Sequence, residues 1–220
     1  MNRINWQSYF QERVIKYGPG YKSCATYGSL FKLRCKVLEK HYRDVKGKMI
    51  LDCGSGNGFS MEFLTADNKV FGIDNVFEML PMSVKKGLKA VAGNLDHNLP
   101  FCSNTFDSVS IISVLQYIIN PENLIQEIYR VLKPGGDLVL YSQNKSSWIR
   151  AALTFMNNSR SEEFRKVYQQ LKNLIENNGF DYIKTYLIRY PLPFIGEVIY
   201  PSYFQLGFST SFIIVAEKTG

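Results

Sequence analysis

The chain has 220 residues, 45% of them hydrophobic and 20% charged, with a formal net charge of +7. That length and balance suit one globular domain with a sizeable core and exclude a disordered chain. No apolar run approaches the roughly 18–20 residues that cross a bilayer, and residues 1–20 carry no apolar leader core, so a soluble, cytoplasmic protein is expected.

Residues 1–46 read as a helical, aromatic arm, interrupted by the turn signal Tyr17-Gly18-Pro19-Gly20. A second helix is expected from about Tyr27 to Tyr42, with Leu30, Leu33, Val37 and Leu38 near helical spacing. The arm is either a lid or packing for a sheet edge. It also holds the basic excess. Residues 1–48 contain eleven Lys/Arg against three Asp/Glu, and the rest contains fifteen against sixteen. This excess suits an acidic substrate, a nucleic acid or a membrane surface, or equally a solvated helical face. The cysteines Cys24, Cys35, Cys53 and Cys102 form no CxxC pair, so free thiols and no metal site are expected.

From residue 47 to 220 strands and helices alternate. Strands are expected at Met49–Asp52, Val70–Ile73, Leu88–Ala92, Ser108–Ile112, Asp137–Tyr141, Tyr182–Leu187 and Ser211–Val215. Between them fall a helix from the glycine turn to about Leu64, a helix from Val76 broken at Pro81, and the amphipathic Pro121–Leu132. This last is capped by Asn120 and stopped by Lys133-Pro134-Gly135-Gly136. Two more helices are expected at Trp148–Met156 and Glu162–Asn177. The alternation predicts an α/β fold with a mostly parallel sheet and helices on both faces. Residues 189–208 read as an aromatic insertion without a period, a pocket wall or a surface loop.

The chemistry gathers at Met49–Ser60, MILDCGSGNGFS: a short strand, the acid Asp52, then a turn with Gly54, Gly56 and Gly58. A turn of this kind brings backbone close to a ligand, and a helix opening behind it would favour an anionic group. The Gly-x-Gly-x-Gly spacing differs from the dinucleotide Gly-x-Gly-x-x-Gly. Asp52, just before the turn, would crowd a pyrophosphate but suits an ammonium. Asp74 follows 22 residues later at the end of the second strand, where a carboxylate accepts from ribose hydroxyls. A ligand with a ribose, an ammonium and no diphosphate is S-adenosylmethionine.

Five ordered segments carry a resemblance: Ile50-Leu51-Asp52-Cys53-Gly54-Ser55-Gly56-Asn57-Gly58, Gly72-Ile73-Asp74, Gly93–Phe101, Phe106–Val109 and Glu127–Gly136. Over about residues 48–142 the chain resembles class I S-adenosylmethionine-dependent methyltransferases, above all the subgroup that includes the ubiquinone/menaquinone methyltransferases. The resemblance implies a Rossmann-like three-layer sandwich around a seven-stranded sheet whose last strand is antiparallel. It implies S-adenosylmethionine as cofactor and S-adenosylhomocysteine as product, and says little about the acceptor. The arm aromatics Tyr9, Phe10, Tyr17 and Tyr21, with the basic excess, and Phe194, Tyr200, Tyr203 and Phe204 of the insertion are expected to close a pocket suited to a small-molecule acceptor of aromatic, apolar or acidic character. Carried over by residue, Gly54 and Gly56 pass the methionine moiety, Asp52 attracts its ammonium and Asp74 holds the ribose. Asn94 and the Leu95 N–H meet the adenine, and Ser113 lines the methionine side. Two readings stay open beside it: a tRNA-modifying enzyme using the basic arm, and a cofactor-binding module without turnover. Many relatives carry His after the fourth strand, where this chain has Leu115-Gln116-Tyr117. Tyr117 is a poor base at its ordinary pKa and suits packing better. No catalytic residue is assigned.

Overall fold

The computed structural model describes residues 5–18, 21–23, 28–143, 159–189, 194–198 and 211–219. The arm forms α1 (Trp6–Tyr17) and α2 (Gly28–His41), linked through a 3₁₀ turn at Tyr21–Ser23. Asn5 caps α1 by accepting from the Ser8 N–H, and Gly18, at φ +64°, ends it by donating to Val14. The strands are β1 (Met49–Cys53), β2 (Lys69–Asp74), β3 (Lys89–Ala92), β4 (Phe106–Ile112), β5 (Leu132–Gln143), β6 (Phe180–Arg189), β7 (Phe194–Val198) and β8 (Ser211–Lys218). Between them lie α3 (Leu80–Lys85), α4 (Pro121–Val131) and α5 (Ser159–Asn177).

The strands form one eight-stranded sheet in the order β3-β2-β1-β4-β5-β8-β6-β7. Strands β1 to β5 pair in parallel, while β8 runs antiparallel between β5 and β6. All seven strands expected from the sequence form, and the last is antiparallel. The eighth, β7, is a hairpin partner of β6 within the aromatic segment that showed no period. The rest of that segment, with Tyr200, Tyr203 and Phe204, lies outside the described residues, as does the helix expected at Trp148–Met156.

Period-two alternation builds the three layers. Leu51, Val109, Ile111, Leu138, Leu140, Phe212 and Ile214 face one side, packed with Leu124, Ile125, Ile128 and Val131 of α4 and Ile175 of α5. Ile50, Val70, Ile112, Val139, Tyr141, Ile213 and Val215 face the other, under Val37 and Leu38 of α2. Helix α4 matches its sequence signals: Asn120 accepts from the Asn123 N–H at 3.2 Å and Pro121 occupies the first turn.

Three expectations are corrected. No α-helix follows the glycine turn; the chain descends in i→i+3 turns ending in a 3₁₀ turn at Glu62–Leu64. Leu64 is buried there, while Phe59 and Phe63 stay exposed. The physical reason is at Gly58, held at φ +76°, where an added Cβ would lie 2.9–3.0 Å from Ser83, so the chain turns where a helix would have continued. Pro81 does not break a helix: a 3₁₀ turn at Phe77–Met79 leads into α3, and Pro81 sits in its first turn, where no N–H is missed. Lys133–Gly136 is not a free turn but the irregular start of β5, with a register shift against β4 and Gly135 at φ +72°. Among the described residues no helix is long and apolar enough to cross a membrane.

Candidate functional site

Chain order reverses direction across the sheet between β1 and β4, and in open α/β sheets the crevice at that point, beyond the carboxyl ends of the strands, is where ligands sit. A cavity of about 240 Å³ lies there. Asp52, Gly54, Gly56, Asp74, Asn94, Leu95 and Ser113, separated by up to 61 positions in the chain, all line it.

Asp52 is the last residue but one of β1, with 1% of its surface exposed. Its Oδ1 accepts from Ser110 Oγ at 2.8 Å. Desolvation raises its pKa from 3.8 to about 6, opposed by the Ser110 bond and the positive charge of Arg34 and assisted by Asp74. Asp74 ends β2. Its Oδ2 accepts from the Gly56 N–H at 2.8 Å and its Oδ1 from the Val76 N–H at 2.9 Å. Burial raises its pKa, and the backbone donors oppose this. The Asn75 N–H is a third backbone donor to this carboxylate, which still keeps acceptor capacity for a ligand hydroxyl.

The glycines serve the turn before they serve any ligand. A Cβ on Gly54, at φ +75°, would lie 2.3 Å from a Val114 methyl, so glycine lets the loop after β4 close on the loop after β1. Gly56, at φ +53°, aims its N–H at Asp74. Asn94 Oδ1 accepts from the Asp96 N–H at 3.0 Å, shaping the loop after β3. Leu95 is buried. Ser113 has φ +61°, a conformation a non-glycine residue adopts at a cost, and its hydroxyl accepts from Arg34 Nη1 at 3.1 Å.

Helix α1 supplies a wall that motif spacing does not show. Trp6 and Phe10 line the cavity and pack on Tyr117, with ring centroids 4.5 and 5.4 Å away. Phe10 and Val14 rest on Val76 and Met79, and Gln7 Nε2 donates to the Asn75 carbonyl at 2.9 Å. Beyond α1, Asn57 Nδ2 donates to Ser23 Oγ at 3.1 Å, and Phe31 packs edge-on against Phe59 at 5.1 Å. The arm therefore touches the rim at several places. Of the arm aromatics expected near the site, Phe10 lines the cavity, Tyr9 packs behind it, and Tyr17 is exposed.

Arg34 of α2 is the other residue that motif reading misses. It is 7% exposed and lines the cavity. It is one of the eleven basic residues before the glycine turn, and nothing in its spacing separates it from them. The structure also disperses that basic excess: Lys46 pairs with Asp67 at 3.3 Å, Lys48 with Asp107 at 3.6 Å, and Arg13 Nε donates to the Ser23 carbonyl.

His41 bonds Asp137 at 2.9 Å, and neither lines the cavity; His97 is exposed. Tyr117 faces the cavity as part of the aromatic wall. Among the described residues no group of three or more His, Cys, Asp or Glu is placed to hold a metal ion.

Two buried carboxylates that form no ion pair among the described residues, and an apolar wall, suit a ligand that brings hydroxyls, a positive group and a flat ring. S-adenosylmethionine has all three, and the donor set fits it. Comparison with known proteins agrees. Residues 51–140 match the family described as a methyltransferase domain. An uncharacterized protein of Methanocaldococcus jannaschii is 28% identical over 71% of this chain and 74% of its own length. A demethylmenaquinone methyltransferase of Paenarthrobacter aurescens is 36% identical over 44% of this chain, a match spanning only 40% of that enzyme. The solved structure of a SAM-dependent methyltransferase from Thermotoga maritima shares the fold, with a TM-score of 0.69 and 20% identity over 96% of this chain and 99% of its own.

Proposed function

We propose that this chain is a class I S-adenosylmethionine-dependent methyltransferase and moves the methyl group of that cofactor to a small-molecule acceptor held in the same cavity. The observation that carries the reading is the single cavity in which Asp52 and Asp74, at the ends of neighbouring strands, meet an aromatic wall from α1.

The cofactor supplies an activated methyl group on a sulfonium sulfur. The chain supplies position and dryness. Asp74 accepts from the ribose with its remaining acceptor capacity, and its hold on the Gly56, Val76 and Asn75 N–H groups fixes its direction. Asp52 faces the ammonium, which restores the ionised form that burial disfavours. The Asn94 amide oxygen and the Leu95 N–H meet the adenine edge. Trp6, Phe10 and Tyr117 keep water from the reacting groups, and residues 1–46 act as a lid. No side chain is assigned as a base. An acceptor that is already deprotonated needs none. The aromatic wall suits a flat or apolar acceptor, and the name of the demethylmenaquinone relative is in keeping with that.

The experiment is calorimetry with S-adenosylhomocysteine. Asp74→Ala removes the ribose acceptor and is expected to weaken binding by about 1.5–3 kcal/mol. Unchanged affinity would remove the ribose assignment, and absence of binding to the unaltered protein would remove the reading.

A further inference from the structure

Among the described residues four charged side chains line the cavity: Asp52, Asp74, Asp96 and Arg34. With its carboxylates ionised the cavity holds an excess of two negative charges. S-adenosylmethionine, with a sulfonium, an ammonium and a single carboxylate, returns one positive charge. The loaded cavity therefore keeps one negative charge unbalanced, and a charge shielded from water is costly unless it is paired. Asp96 is the carboxylate with no part in holding the cofactor. Its Oδ1 accepts from the Ile119 N–H at 2.6 Å and from the Asn120 N–H at 3.4 Å, which ties the loop after β3 to the loop after β4. Its Oδ2 has no hydrogen bond or ion pair among the described residues. The loop it is tied to carries Tyr117, and Trp6, Phe10 and Tyr117 line the same cavity as a set of touching rings. Ring faces are electron-rich and attract cations. Among the described residues no Lys or His lines the cavity, so neither a neutral base nor a second cation stands there.

We propose that the acceptor atom is a neutral nitrogen in or beside a flat ring, and that Asp96 with the rings of Trp6, Phe10 and Tyr117 holds the cation that methylation makes of it. This deepens the small-molecule reading given above and rests on it. The nitrogen lone pair forms the new N–C bond. The C–S bond breaks, its electron pair goes to sulfur, and the positive charge passes from sulfur to nitrogen. No proton moves in this step, so the lack of a base costs nothing. The charge arrives where a carboxylate oxygen and ring faces meet it. An oxygen acceptor fits less well. A phenol or alcohol has first to lose a proton, and then sits as an anion beside Asp96. An acid-bearing acceptor, which the basic arm suggested, meets the same excess of negative charge.

Calorimetry on the full chain saturated with S-adenosylhomocysteine tests this with three probes of one shape: N-methylquinolinium, quinoline and 1-naphthoate, a cation, a neutral ring and an anion. The cation is expected to bind at least about tenfold tighter than the anion, with quinoline between them. Asp96→Asn keeps an oxygen for the Ile119 and Asn120 N–H groups and removes only the charge. It is expected to weaken N-methylquinolinium roughly 5- to 10-fold and to leave quinoline unchanged. Naphthoate bound as tightly as the cation would overturn the proposal, and so would a cation affinity that Asp96→Asn does not alter. A second readout needs no chosen probe. Product labelled from methyl-labelled S-adenosylmethionine and cell extract, once freed of the cofactor, should be retained by a cation exchanger at neutral pH. Label confined to neutral or anionic small molecules would overturn the nitrogen assignment and leave the small-molecule reading standing. If S-adenosylhomocysteine does not bind the unaltered protein, the cavity reading falls and this proposal with it.

Discussion

The carboxyl of Asp52 has no bulk water to hold its charge, and one hydroxyl, that of Ser110, offsets only part of the loss. Its raised pKa has a consequence whose sign is definite. Between about pH 4 and 6 the folded protein holds a proton on Asp52 that the unfolded chain releases. This favourable contribution is complete below the unfolded pKa near 3.8 and is lost as pH rises through about 6. The full penalty at neutral pH is of order 3 kcal/mol, from a shift of about two pH units. Asp52→Asn should therefore raise the melting temperature at pH 7–8 and give no gain at pH 4. Its effect on the cofactor is opposite. An ammonium beside Asp52 favours the carboxylate, so S-adenosylhomocysteine should bind the unaltered protein more tightly as pH rises through about 6 and level off above 7. The Asn variant should bind weakly and depend less on pH, with burial of Asp74 leaving a residue of the effect. Melting curves and calorimetry at pH 4, 6 and 8 measure both. A variant less stable at pH 8, or one that binds as well as the unaltered protein, would show that Asp52 has a structural task only. At this scale the two carboxylates were legible because an acid at the end of a buried strand has few other reasons to be there. Arg34 was not legible, because a helix full of Lys and Arg does not say which one turns inward.

Among the elements, α4 and the stretch after β1 mark the limits of local reading. Helix α4 carries a cap, a first-turn proline and four apolar residues at helical spacing, and all these signals agree. After β1 the apolar residues also sit at helical spacing, yet Gly58 needs a positive φ and close contact with Ser83, and turns win. That contact joins residues 25 positions apart, so no local pattern contains it. The arm is the element on which activity should depend most. Helix α1 is held by a small apolar cluster, by Gln7 on Asn75 and by Gln11 on Glu78. Removing residues 1–21 takes away Trp6 and Phe10 and uncovers Val76, Met79 and Tyr117. The loss of ring contact is expected to weaken S-adenosylhomocysteine about tenfold, some 1.4 kcal/mol. Turnover should drop further than affinity, because water then reaches the methyl group. Calorimetry and initial rates separate the two, and a truncated chain with both unchanged would reduce the arm to scaffold.

For the whole molecule, sheet polarity explains why residues from β1, β2, β3 and β4 converge. Parallel strands present their carboxyl ends on one rim, and the reversal of order between β1 and β4 opens the crevice there. Strand–helix alternation made this architecture legible. The hairpin strand β7 was not, since its aromatic, proline-rich surroundings mask a period of two. Net charge was the least informative feature, because four of the eleven basic residues before the glycine turn are engaged by Asp67, Asp107, a carbonyl and the cavity. The central claim is that this cavity transfers a methyl group to a small molecule. Incubation with methyl-labelled S-adenosylmethionine and fractionated cell extract, beside Asp74→Ala as control, tests it most directly. The account predicts label in the small-molecule fraction and its loss in the control; label recovered in RNA, or none in any fraction, would contradict it.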